Sequence, residues 1–197
     1  NSIASLEPLE NCEKLSVLSV NNNKLSNLKG VESSLELSEL YAASNNIESL
    51  NGLENATLLK NVNLNNNNIS NFSVISKSKN SLISFFADNN NISDLSFLSD
   101  CISLTTLSLN DNDLNSLEAI KNSVDLSMIS CRNNHLSDLK GLENLSLLNF
   151  ADFSHNNLTD VSALSNIGSG DEYDKLYLDL SYNLISNFNI PNANYSV

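Results

Sequence analysis

Two histidines, three cysteines and one run of alternating asparagine and aspartate are the groups in this 197-residue chain that invite a search for chemistry. His135 and His155 flank Asn134 and Asn156 and could meet to hold a metal ion, but two solvated loop residues is the simpler reading. Asn110-Asp111-Asn112-Asp113 resembles the opening of a calcium loop, yet the following glycine and the bidentate glutamate at the twelfth position are missing. Ser154, His155 and Asp152 carry the residue types of a hydrolytic triad. Neighbours along a strand point to opposite faces, so these three cannot converge as nucleophile, base and orienter must. Cys12, Cys101 and Cys131 show no C-x-x-C spacing, and no glycine-rich phosphate loop occurs. Neither catalysis, nor a metal or other cofactor, nor a small-molecule substrate is expected.

The elements that would position any site come from a repeat. Asparagine (37), leucine (35) and serine (34) together exceed half of the chain, with 5 Gly and 2 Pro. Taking each asparagine that stands two residues before Ile or Leu gives Asn1, Asn23, Asn45, Asn67, Asn90, Asn112, Asn134, Asn156 and Asn183, spaced by 22 residues except for one step of 23 and one of 27. Columns at two, five and eight residues after it, and at three, five and eight before it, are apolar in 49 of 51 places, against 41% for the whole chain. Lys175 and Pro191 are the exceptions. A strand of period two is expected at the L-x-L, and stacking the copies gives a parallel sheet. The asparagine, able to donate and accept at once, is expected to satisfy backbone groups buried where the chain turns inward, and Asn23, Asn45, Asn67, Asn90, Asn112, Asn134, Asn156 and Asn183 should form a ladder. Asparagine also tolerates left-handed turns, which explains how so long a chain manages with few glycines.

This L-x-x-L-x-L-x-x-N-x-L pattern resembles the leucine-rich-repeat signature and runs through the whole chain. The resemblance implies an α/β-class leucine-rich-repeat solenoid of about eight 22-residue repeats. It would be a right-handed curved superhelix with the parallel sheet on its concave face, and 3₁₀ turns and extended segments on its convex face. Residues 1–197 form one such domain, expected to be a fragment of a longer protein because the chain opens in mid-repeat without an initiator Met. Gly30-Val31-Glu32, Gly52-Leu53-Glu54 and Gly141-Leu142-Glu143 are similar to the repeat endings of the protein-phosphatase-1 regulatory subunit and its relatives. Ile92-Ser93-Asp94-Leu95 and Leu158-Thr159-Asp160-Val161 are similar to bacterial internalins. The first likeness implies a cytoplasmic or cytoskeleton-associated scaffold or regulatory subunit, with partners such as phosphatases or spindle-pole and microtubule assemblies. The second implies a secreted or cell-surface adhesin that binds a host protein. One extra residue enters around Ser76–Ser81 and five around Gly168–Asp174.

Charge narrows the partner. A net charge of −13 and a pI near 4.3 oppose binding to nucleic acid, whose affinity comes from Lys and Arg neutralising phosphates. No run of about 18 apolar residues exists, so membrane insertion is not expected. The seven N-x-S/T sequons match what chance gives with so many Asn, Ser and Thr. Cys12 and Cys101 lie four repeats apart, roughly 19 Å at the usual strand spacing, too far for a disulfide. All three thiols are expected to be small core residues, mildly favouring a reducing compartment.

A protein partner remains, and the outward side of the sheet is where the fold does not dictate the residue. Its positions are mostly small and polar. Tyr41, Phe86, Met128, Phe150 and Tyr177 depart from that, with Asp88, Arg132, Asp152 and Asp179 beside them, the mixture of aromatics and charge enriched at interfaces. These nine are the expected partner-binding residues; a scatter of single exposed apolar groups is the alternative. Asp152 and Asp179 share a column on neighbouring repeats, so a basic group from a partner, or Lys175, is expected to relieve their repulsion.

Overall fold

The computed structural model describes residues 1–167 and 176–188. Eight three-residue strands follow one another: β1 (Val17–Ser19), β2 (Glu39–Tyr41), β3 (Asn61–Asn63), β4 (Ser84–Phe86), β5 (Thr106–Ser108), β6 (Met128–Ser130), β7 (Phe150–Asp152) and β8 (Tyr177–Asp179). They form one parallel sheet in strict chain order. Val17 pairs with Glu39 and Glu39 with Asn61, each 22 residues on, whereas Asn61 pairs with Ser84, 23 on. Every strand therefore meets its own copy in the next repeat, and every column of the sequence becomes a row across the sheet.

The middle residue of each strand points inward. Leu18, Leu40, Val62, Phe85, Leu107, Ile129 and Ala151 are buried, and Leu178 is half-buried. Each full burial of a Leu or Phe contributes about 2 kcal/mol, and the repeat multiplies it. Phe72, Phe85 and Phe97 meet in this core with ring centroids 5.5–5.7 Å apart.

The return stretches hold no α-helix among the described residues; a 22-residue unit leaves room only for a short turn. That turn is made in two ways. Five repeats use 3₁₀ segments, at Glu7–Leu9, Ser73–Ser78, Ser96–Leu98, Glu118–Ile120 and Ser162–Asn166. The extra residue of the 23-residue unit enters at Ser73–Ser78, which has six residues where Ser96–Leu98 has three. The five-residue insertion lies outside the described residues. The other three repeats turn on Gly30, Gly52 and Gly141. Gly52 has φ +111°, and a Cβ there would lie 2.0 Å from the Leu28 carbonyl oxygen, so no side chain fits. Its N–H donates to Glu54 at 2.8 Å, as Gly30 does to Glu32 and Gly141 to Glu143. The Gly-x-Glu ending is thus a local turn with its own acceptor.

A second tight turn follows each strand. Asn22, Ser44, Asn66, Asn89, Asp111, Asn133, His155 and Tyr182 all have φ between +53° and +57°. The left-handed residue is the one before each column asparagine, a position that Asn and Asp tolerate best.

Candidate functional site

The frame of the outward face is set by side chains that bond across repeats. Asn112 shows the pattern: its Oδ1 accepts the Ile92 N–H at 2.9 Å, while its Nδ2 donates to Ala87 O, Leu109 O and Asn110 O at 3.0–3.2 Å. One carboxamide thereby serves the preceding repeat and its own. Asn45, Asn67, Asn90, Asn134 and Asn156 make the equivalent bonds and are likewise buried. At the ends of the row, Asn23 accepts from Ile3 and Asn183 from Leu158.

A second row, two residues before each of these asparagines, governs the face itself. Its backbone N–H groups need acceptors, and the source alternates by a simple rule. Where the preceding repeat carries Asn or Asp at the same place, that side chain accepts: Asn21 takes the Ala43 N–H, Asn65 the Asp88 N–H, Asp88 the Asn110 N–H and Asn110 the Arg132 N–H, all at 2.7–2.8 Å. Ala43, Arg132 and Ser154 cannot supply a carboxylate or carboxamide. In the repeats that follow them the acceptor comes from the same strand: Asn63 for Asn65, Asp152 for Ser154 and Asp179 for Ser181, at 2.9–3.1 Å.

Asp88 is therefore enclosed by the frame, with Ser108 and Asn110 donating to one oxygen and Asn65 to the other. Tyr41 donates to the Glu39 carboxylate at 2.7 Å, a bond that, with some burial, raises its phenol above the ordinary range. Asp179 is held below the ordinary carboxylate range by the Ser181 hydroxyl and N–H, with Arg132 and His155 adding positive potential. Asp152 and Asp179, expected to stand unpaired, each bind an N–H two residues on, and the exposed Arg132 acts on Asp179; Lys175 lies outside the described residues.

The outward aromatics divide. Met128, Phe150 and Tyr177 occupy one row, paired in register across β6, β7 and β8. Phe150 and Tyr177 stack with ring centroids 4.8 Å apart and planes 9° from parallel, and Met128 and Tyr177 are 39% and 53% exposed. Half-buried Tyr41 on β2 and Phe86 on β4 stand apart from that row. Ser130, Asp152 and Asp179 form the adjoining row. The result is a patch three strands wide, apolar along one line and acidic along the next, with Arg132 beyond.

His135 lies 3.6 Å from Asp113, both exposed, and His155 stacks on Tyr182 with centroids 4.2 Å apart. No cluster of three metal-ligating side chains occurs among the described residues. Cys101 and Cys131 are buried, but Cys12 is only half-buried, because its repeat stands at the end of the row. Burial pushes the Cys101 thiol up to about 11 and Cys131 higher still. Column reading missed the frame-forming roles of Asn21, Asn63, Asn65 and Asn110. The complementary placement of Asn or Asp in two outward columns was the signal that would have found them.

No family model matches the chain, and no curated protein does. Among solved structures it is similar to an internalin, InlF, from Listeria monocytogenes, at 25% identity and a TM-score of 0.76 over 95% of this chain and 60% of that one. It thus spans about three fifths of that relative. Internalin C2 of the same species gives 23% identity and a TM-score of 0.79, covering 95% of this chain and 92% of that one. A plant peptide hormone receptor solved in complex with RGF2 gives 25% identity and a TM-score of 0.65, covering 90% of this chain and 34% of that one.

Proposed function

We propose that this leucine-rich-repeat solenoid is a protein-binding module whose partner rests on the outward sheet face over β6, β7 and β8. The observation that carries the reading is the in-register row Met128, Phe150 and Tyr177 on three adjacent strands, whereas Val17, Tyr41 and Phe86 stand singly on β1, β2 and β4. The frame needs no large side chain there, and the stacked pair leaves apolar surface in water. The similar plant receptor, solved with its peptide ligand, supports the same use of the fold.

Two settings for such a module have separate support. The Gly-x-Glu turns and three unpaired thiols favour a scaffold or regulatory subunit in a reducing compartment. The Ser93-Asp94-Leu95 and Thr159-Asp160-Val161 endings, with Asp94 and Asp160 accepting the N–H groups of Ser96 and Ser162, and the likeness to two internalins favour a surface adhesin. No helix among the described residues is long and apolar enough to cross a membrane.

Capture on the immobilised chain tests the interface. Wild type and the double variant Phe150→Ser, Tyr177→Ser are compared as bait, with melting temperature as the control for folding. A protein retained by the first and lost from the second, at equal melting temperature, is the expected result. Identical captured sets place the interface elsewhere.

A further inference from the structure

The Met128, Phe150 and Tyr177 row is an unpartnered apolar stretch of sheet face, and the charges beside it state what would cover it. On the outward side of β6 to β8 the adjoining row ends in two carboxylates, Asp152 and Asp179, directly in register on neighbouring strands. Strand spacing places such columns roughly 4.8 Å apart. The fold does not ask for charge there. At the equivalent place on β3, the neutral Asn63 accepts the N–H of Asn65 at 3.1 Å, the same service that Asp152 and Asp179 perform for Ser154 and Ser181 at 2.9 Å. An asparagine would hold the turn without repulsion, so the two negative charges answer to something outside the frame. Each carboxylate accepts its own turn's N–H through Oδ1, in the row adjoining the apolar Phe150 and Tyr177.

We infer, resting on the reading of this face as an interface, that the partner segment brings a lysine or arginine to Asp152 and Asp179 and an apolar side chain to Phe150 and Tyr177. The two groups must lie about 6.6 Å apart, the separation of residues i and i+2 along a strand. An extended segment meets this when apolar and basic residues alternate with one residue between them, all facing the sheet. Charge complementarity selects this occupant over an acidic one, and the net charge of −13 repels acidic segments from a distance. Arg132, one repeat before the carboxylates, sets the boundary of the acidic row and disfavours a second cation at its place.

The test uses the whole chain and three synthetic peptides: Leu-Thr-Lys-Thr-Leu-Thr-Lys, the same with Glu for Lys, and the same with Ser for Leu. Amide chemical shifts of Phe150, Asp152, Ser154, Tyr177 and Ser181 report the site. The lysine peptide is expected to move them, with affinity falling as salt rises, and the other two to bind at least tenfold more weakly. The variant Asp152→Asn, Asp179→Asn keeps an acceptor for both turns and should lose at least tenfold in affinity while still unfolding in one cooperative transition. Equal binding of the Glu peptide, or no loss in that variant, overturns the cationic partner while leaving the interface standing. Shifts confined to other residues, or no binding by any peptide, overturn both.

Discussion

The Asp152 carboxylate accepts the backbone N–H of Ser154 at 2.9 Å. It does so in the repeat that follows Arg132, the first in a run of three, with Ser154 and Ser181, whose side chain has no carboxylate or carboxamide to offer the next strand. Asn110 had served Arg132 in that way at 2.8 Å. The residue that ends one chain of bonds thus requires the next strand to carry an acceptor of its own, and the acceptor at 152, though not its charge, follows from arginine at 132.

Replacing Asp152 by Ala should cost about 1 kcal/mol or more, the usual penalty for leaving an N–H unpaired. Adding Arg132→Asn should recover most of that loss, because an asparagine at 132 can take the Ser154 N–H across the repeat. Chemical denaturation of both variants decides it; a double variant no more stable than Asp152→Ala alone refutes the either-or relation.

Asn112→Ala removes the acceptor for the Ile92 N–H and the donor to three carbonyls in one step. A loss of about 3 kcal/mol is expected from buried groups left unsatisfied. Asn115→Ala, at an exposed position, should stay within about 0.5 kcal/mol of wild type. Similar melting curves for the two would show that the buried asparagine bears no weight.

Thiol labelling at pH 8 should reach Cys12 first. Cys101, pushed up to about 11, and Cys131, pushed further, stay protonated and out of contact with reagent until the chain unfolds. Three equivalents labelled rapidly without denaturant would contradict the burial.

Asp94, Asp160 and Asp179 all bind more tightly as carboxylates: the Ser96 hydroxyl and N–H hold Asp94 low, the Ser162 N–H and hydroxyl hold Asp160, and the Ser181 hydroxyl and N–H hold Asp179. A carboxylate whose folded pKa is depressed stabilises the fold above its unfolded value, about 3.9, and that stability goes as pH falls through the folded pKa. Melting temperature should therefore be flat from pH 7 to about 5 and decline below about 4. Asp94→Asn with Asp160→Asn should shallow that decline. An unchanged acid limb would assign it to other carboxylates.

Repetition made most of this protein legible from its residues. A period of 22 with fixed apolar columns specifies the strand, its register and the inward face together, because a slip of one residue would turn every leucine outward. Leu40, Val62 and Leu107 had no alternative place, and six of the eight left-handed turns follow from short polar residues recurring beside the column asparagines, His155 and Tyr182 being the exceptions. The outward face obeys no such constraint. Asp88 and Asp152 look alike in the sequence, yet one is enclosed by Asn65, Ser108 and Asn110 while the other holds its own turn. Phe86 and Phe150 look equally exposed, yet only Phe150 gains a stacked neighbour, because Tyr177 falls in register with it despite the longer step between them. The 22-residue period alone specifies the solenoid, since burial acts identically on every copy. Tertiary structure alone decided which outward side chains serve the frame and which stand apart from it, since that depends on what the preceding repeat offers across a single strand spacing.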